Sequence, residues 1–347
     1  MKTKQLLSAL ILFIGLFASA QQAPFMVCNP AGTTCAPYTS LVAAYNAAAA
    51  GDIIYLPAGD FNFGFNITKK IYFIGAGFDF NASITTGITR ISGDIILEIG
   101  ANGSSFEGFY LTGNFKNYGN ISNISLSYVN FNKLEYFYPY YGWTISNSTI
   151  KNCVVREYLN FGDITSTLGE NNTVMNSFVK SFQYMNHSSI KNCIISKFAS
   201  TNYCFSNIKN SLIKNNIIGG QGLFDVASNT SDNVTFSNNA TEATSGQLSN
   251  GNPFCFEINN IFGIALTNTF VSATACTYDL TFDYHIKLTS PAYTGSENGT
   301  EIGIYGGSTP WKEGAIPSNP HIFFKNISSA TDGSGNLPVQ IKVSAQN

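Results

Sequence analysis

Apolar and polar positions alternate along this chain in short bursts, and one burst recurs. Ile150-Lys151-Asn152-Cys153-Val154-Val155 returns as Ile190-Lys191-Asn192-Cys193-Ile194-Ile195 and as Ile213-Lys214-Asn215-Asn216-Ile217-Ile218. Val174-Met175-Asn176-Ser177-Phe178-Val179 is a looser copy. Phe106-Glu107-Gly108-Phe109-Tyr110-Leu111 and Ile124-Ser125-Leu126-Ser127-Tyr128-Val129 precede the array, and Val234-Thr235-Phe236-Ser237 follows it. The anchors 106, 124, 150, 174, 190, 213 and 234 lie about 21 residues apart, a period at which each unit of a solenoid buries its apolar face against its neighbours. Ile, Val, Phe and Tyr dominate the units, Asn, Ser and Gly punctuate them, and no helical period intervenes, so each hexad reads as strand, two-residue bend, strand. Its first and sixth positions are expected to face inward and its second outward. The third is Asn in the four central copies, a residue that tolerates the left-handed conformation of a tight bend.

Outside the array the pattern changes. Residues 38–51 read as a helix, with Thr39 or Ser40 as cap, Leu41, Val42, Ala44, Tyr45 and Ala48 as its apolar face, and Gly51 as its stop. Strands are expected around Ile53-Ile54-Tyr55-Leu56 and Ile71-Tyr72-Phe73-Ile74. The longest spacing, from Ile124 to Ile150, holds Leu134 to Trp143, and extra length between fixed rungs must leave the barrel as a loop. Tyr158, Phe182 and Phe198 each lie eight residues after an anchor and suggest a stacked aromatic ladder. After residue 241 the hexad is lost, although Ile258, Ile261, Ile264 and Leu266 suggest further strands. Pro310, Pro317 and Pro320 mark a linker, and Ile322-Phe323-Phe324 and Val339-Gln340-Ile341-Lys342-Val343 read as two strands around Asp332-Gly333-Ser334-Gly335. This tail is expected to cap the last rung, with an export or attachment module as the alternative.

These repeats resemble the right-handed parallel β-helix coils of the pectate-lyase-like superfamily over about residues 38–310. The leading helix followed by Gly51-Asp52, and the closing Ser290-Pro291-Ala292 and Gly303-Ile304-Tyr305-Gly306-Gly307, are similar to the first and final coils of secreted bacterial members. The resemblance implies an all-β, right-handed parallel β-helix with a short N-terminal capping helix and a C-terminal β tail. It implies little about activity, because that fold hosts lyases, hydrolases, adhesins and proteins without catalysis.

Lys2 and Lys4, an apolar run from Leu6 to Phe17 and Ala18-Ser19-Ala20 form an export signal with cleavage expected after Ala20. The chain then divides into a signal peptide at 1–20, a β-helix at 21–309 and a linker with a two-stranded tail at 310–347. No later stretch is long and apolar enough to span a membrane. Charged residues are only 11% of the chain and its net charge is −2, which argues against nucleic acid as a partner. Export permits disulfides. Cys28 and Cys35 are the best candidate pair, Cys255 and Cys276 a weaker one. Cys153 and Cys193 share a hexad position two rungs apart, roughly 10 Å at about 4.8 Å per rung, too far for a bond, and read as small buried residues. Asn-x-Ser/Thr triplets at Asn66, Asn120, Asn147 and Asn233 read as a product of composition, with no glycosylation assigned.

Between 150 and 215, Lys151, Arg156, Lys180, Lys191, Lys197, Lys209 and Lys214 face only Glu157, Asp163 and Glu170. Lys151, Lys191 and Lys214 occupy the outward second position, and Arg156 and Lys180 follow the hexad in adjacent rungs. Such a face can hold an acidic polymer by distributed charge. The loop at 136–143 adds Tyr138, Tyr141 and Trp143, whose rings pair apolar faces with polar tips and suit a sugar. The resemblance implies, for a lyase, calcium held by carboxylates and an Arg or Lys base. The carboxylates Glu157, Asp163 and Glu170 do not recur in register, and the paired Asp residues of the related hydrolases are missing. The expectation is therefore a secreted or cell-surface β-helix protein that binds polysaccharide or a surface polymer through Lys151, Arg156, Lys180, Lys191, Lys214, Tyr138, Tyr141 and Trp143, without catalysis, cofactor or metal. The alternatives are a polysaccharide lyase or glycoside hydrolase acting on acidic glycans, with Ca2+ if a lyase, and a purely structural envelope or adhesin repeat.

Overall fold

The hexad folds as strand, bend, strand. Thr149–Lys151 and Val154–Asn160 are strands, with Asn152 and Cys153 between them. Stacking such units yields an all-β parallel solenoid of about eight turns in a computed structural model. The structure describes residues 24–79, 87–136, 142–163, 167–196, 203–220, 232–249, 252, 254–312 and 321–344. The expected export signal at 1–20 lies outside them.

Ile150 stacks in register between Leu126 and Val174, and the ladder continues through Ile190, Ile213 and Phe236. Val155 stacks between Phe131 and Val179 and continues through Ile195, Ile218 and Thr241. The aliphatic members of both ladders are buried in one continuous core. Two anchors read from the sequence are displaced: Leu126 and Phe236 occupy the first position, not Ile124 and Val234. Strand side chains alternate with period two, so a slip of two residues keeps the same face inward and leaves the hydrophobic pattern unchanged. One further rung, Glu257-Ile258-Asn259-Asn260-Ile261-Phe262, pairs beyond residue 241. Its first position is Glu257, which hides it from an apolar pattern.

Asparagine makes two corners of each coil. Asn152, Asn176, Asn192, Asn215, Asn238 and Asn259 adopt φ between 48° and 56° at the third hexad position. Three residues before each anchor stand Asn123, Asn147, Asn171, His187, Asn210 and Asn233, also left-handed. The Asn-x-Ser/Thr triplets at Asn147 and Asn233 are thus corners of the repeat rather than accidents of composition. Between the corners, polar side chains tie rung to rung inside the barrel. Ser148 Oγ accepts from the Ile124 amide, and Asn172 Oδ1 from the Ser148 amide, both at 3.0 Å. Asn216 and Asn239 repeat the device at the fourth hexad position, accepting from Cys193 at 2.8 Å and Asn216 at 3.0 Å. Each bond satisfies a backbone group that the bend would otherwise leave unpaired in the interior.

The aromatic ladder read at 158, 182 and 198 does not form as expected. A bulge follows Val155, so Tyr158 pairs with Ser181 while Leu159 pairs with Phe182. Phe182 stacks on Phe205 instead, with ring centroids 5.8 Å apart, and Phe198 lies outside the described residues.

At the N-terminal end, β1 (Phe25–Cys28) pairs antiparallel with both β2 (Cys35–Tyr38) and β3 (Ile53–Tyr55), covering the edge of the first parallel strand. Cys28 and Cys35 are joined by a disulfide across this pair. Helix α1 spans Leu41–Ala47, shorter than the sequence pattern, with Ser40 as its cap, and buries Leu41, Ala44 and Tyr45.

The C-terminal part departs most from expectation. Residues 265–311 do not add a final coil. They fold back as a strap along the outside of the rungs. Gly295 accepts a bond from Asn238, Gly303 donates to Asn215, Gly306 accepts from Asn176 and Pro310 from Asn152, so the strap runs opposite to the order of the coils. It covers the fifth hexad position: Val154, Phe178, Ile194, Ile217 and Ala240 form a second apolar cluster with Phe270, Tyr284, Ile302, Ile304 and Trp311 of the strap. In the tail, His321–Ile327 and Val339–Ser344 form their own antiparallel sheet and, among the described residues, pair with no strand of the solenoid.

Candidate functional site

Beside the strap, the residues that follow the hexad line a pocket of about 280 Å³, bounded by Tyr110, Asn130, Val154, Phe178, Arg156, Lys180, Ser196 and the strap segment Cys276-Thr277-Tyr278. The coils supply the floor and the cations, and the strap supplies the far wall. Arg156 and Lys180, placed in adjacent rungs by the sequence, are therefore brought together.

Arg156 stands at the bulge after Val155, a feature that locally re-aims the side chains of a strand. Its Nη1 donates to Asn130 Oδ1, and its Nη2 to the carbonyls of Leu111 at 2.8 Å and Thr112 at 3.2 Å. The guanidinium lies 4.7 Å from the centroid of the Tyr110 ring, with Arg90 at 5.5 Å from the same centroid. Burial pulls the Arg156 guanidinium below its ordinary value, against the opposing pull of Tyr110 and Glu157. A guanidinium has five N–H donors, so these three bonds leave donors for a ligand. Lys180 is half-buried and has no ion pair among the described residues.

Lys151, Lys191 and Lys214 fall on a different flank. They occupy one ladder, Lys151-Met175-Lys191-Lys214, before the bend that the strap covers, whereas Arg156 and Lys180 lie after it. Lys214 is paired with Glu297 of the strap and serves to hold the strap in place. The basic segment read as one face is thus split by the strap. Trp143 packs edge-on against Tyr118 at 4.8 Å. Tyr138 and Tyr141 lie outside the described residues.

A second polar cluster went unread in the sequence. Lys133 and Glu135 flank Tyr158, whose Oη donates to Glu135 at 2.8 Å and accepts from Lys133 at 3.1 Å. Lys116 joins it through Glu135 at 3.9 Å and is itself paired with Asp94 at 2.7 Å. Lys133 and Glu135 alternate along one strand, a spacing that puts them on one face, but only the stacking of distant coils brings Tyr158 between them. Burial, then the bond to Glu135, pushes the Tyr158 phenol up to about 12 against the pull of Lys133. A phenol so placed keeps its proton at neutral pH and is poorly matched to act as a base there.

Calcium does not fit the pocket. It needs several converging oxygen ligands, carboxylates foremost, and among the described residues the pocket lining contains no carboxylate. Among the described residues no three His, Cys, Asp or Glu side chains gather into a metal-holding group. His285 is bonded to Asp283 at 2.8 Å and stacked on Tyr305 at 3.8 Å within the strap. Cys255 and Cys276 are free thiols. No family model matches this chain, and no curated protein or solved structure matches it either.

Proposed function

We propose that this is a secreted solenoid protein that binds anionic glycan or surface polymer without transforming it. Support comes from one observation above all: Arg156 and Lys180 line a single pocket with Tyr110 and Tyr278, and among the described residues no carboxylate shares that lining. Two cations beside aromatic walls favour a ligand that is both negatively charged and ring-shaped. The export signal expected from Lys2 to Ala20 would carry such a molecule to where cell-wall and matrix polymers are found, and the pectate-lyase-like resemblance of the repeats is consistent with glycan recognition on this fold. Catalysis lacks support, because among the described residues the pocket lining holds no carboxylate and Tyr158, two residues beyond Arg156, is held protonated.

The test is retention of the full chain in gels cast with acidic and neutral polysaccharides. Retardation by acidic polymers, weakened by salt and by Lys180→Glu, is the expected result. Equal mobility in every gel would remove the proposal.

A further inference from the structure

Resting on the reading just given, we infer that the pocket takes the end of an anionic chain: one terminal sugar-sized ring bearing a carboxylate or sulfate, not an interior stretch of polymer. A polymer laid along the solenoid would follow the ladder one position beyond the hexad, from Thr112 and Asn132 through Arg156, Lys180 and Ser196, at roughly 4.8 Å per rung. That path is closed at the next rung. There the ladder residue is Gly219, and an added Cβ would lie 2.8 Å from Cys276 Sγ, so the strap sits directly on the backbone. The glycine permits this close approach.

The closing wall is firmly held. The Tyr278 ring is 5.0 Å from Phe178 and 5.9 Å from Trp311, and its Oη donates to Asp79 at 3.3 Å. A ligand would have to break this cluster to pass. The cavity of about 280 Å³ lies near the lower end of small-molecule sites, which span roughly 300–1,000 Å³. It accommodates a ring or two, not a long segment. Arg156 and Lys180 stand in adjacent rungs, with Ser196 between them and the closed rung, so the acidic group of a ring seated before the closure can reach both.

The deciding experiment is calorimetric titration of the full chain with galacturonic acid, glucuronic acid, a monosaccharide sulfate and uronate oligomers from dimer to hexamer. The inference expects an acidic monosaccharide to bind and to displace the polymer, with little gain in affinity beyond the trimer. Uronic acid binding without the sulfate, or the reverse, identifies the acid. Lys180→Gln should weaken the monosaccharide about tenfold, which corresponds to about 1.4 kcal/mol. Thr277→Trp, which fills the pocket from an exposed strap position, should abolish its binding while leaving the melting temperature in place. Affinity that climbs steadily to the hexamer with an inert monosaccharide overturns end recognition but leaves polymer binding intact. Failure of polymer and monosaccharide alike overturns both.

Discussion

At Asn176 two demands meet in one residue. Its backbone takes φ of 48° at the bend, and its Nδ2 donates to the strap carbonyls of Ile304 at 2.8 Å and Gly306 at 2.7 Å. Asn176→Gly keeps the bend and removes the bonds, and should cost about 1–3 kcal/mol in urea denaturation. Asn176→Ala adds the left-handed penalty of roughly 1–2 kcal/mol. A glycine variant as stable as the native chain would mean that these bonds contribute nothing. The bend was legible in the sequence because Asn recurs at one spacing. Its second role was not, since the strap lies about 130 residues further along. The buried cysteines were legible for the same reason of register. Burial pushes the Cys153 and Cys193 thiols up to about 12, so alkylation should leave both untouched in the native protein and modify them only after unfolding. Tyr158 gives a pH signature. Its folded pKa exceeds the ordinary value near 10, so the stability it contributes is complete below about pH 10 and is lost as pH rises towards 12. Melting temperature should therefore fall over that window, and fall less steeply in Tyr158→Phe.

Among the elements, the rungs and the strap differ in how openly the sequence declares them. A rung repeats its pattern, so even loose copies reinforce one another, and the misreadings are local: shifts of two residues such as Ile124 for Leu126, the rung hidden by Glu257 and the bulge after Val155. The strap repeats nothing. Its apolar residues Phe270, Tyr278, Tyr284, Ile302, Ile304 and Trp311 are irregularly spaced, and the surface they cover, the fifth hexad position, reads as ordinary core because it is aliphatic or aromatic in the central copies. An aliphatic residue at an outward position of a solenoid was the available signal that something covers it. Phe178 is the keystone, with ring contacts to Tyr278, Tyr284 and Trp311 at 5.0, 4.7 and 5.5 Å. Phe178→Ala should cost about 3–5 kcal/mol and raise hydrogen exchange selectively in residues 276–311. Unchanged exchange there would show that the strap is held without this cluster.

Across the whole molecule, the strap turns a mainly basic stretch into two surfaces of different use. Lys214 is committed to Glu297, while Lys180 remains available beside Arg156. The sequence revealed which residues are cationic and which rungs adjoin, and so brought Arg156 and Lys180 together correctly. It did not reveal which cations a returning segment would claim, because that depends on contacts between the distant residues 214 and 297. Nor does net charge announce the site: the chain carries −2 overall, so attraction to an anionic polymer must be local and fall with ionic strength over the Debye length of about 10 Å at 0.1 M salt. The most direct test is the equilibrium affinity of an acidic oligosaccharide for the native chain and for Lys180→Glu, measured at low and at high salt. Binding that weakens with salt is expected, with a loss of at least about tenfold, or about 1.4 kcal/mol, in the variant. Affinity for the acidic ligand that is indifferent to both salt and Lys180→Glu would contradict it.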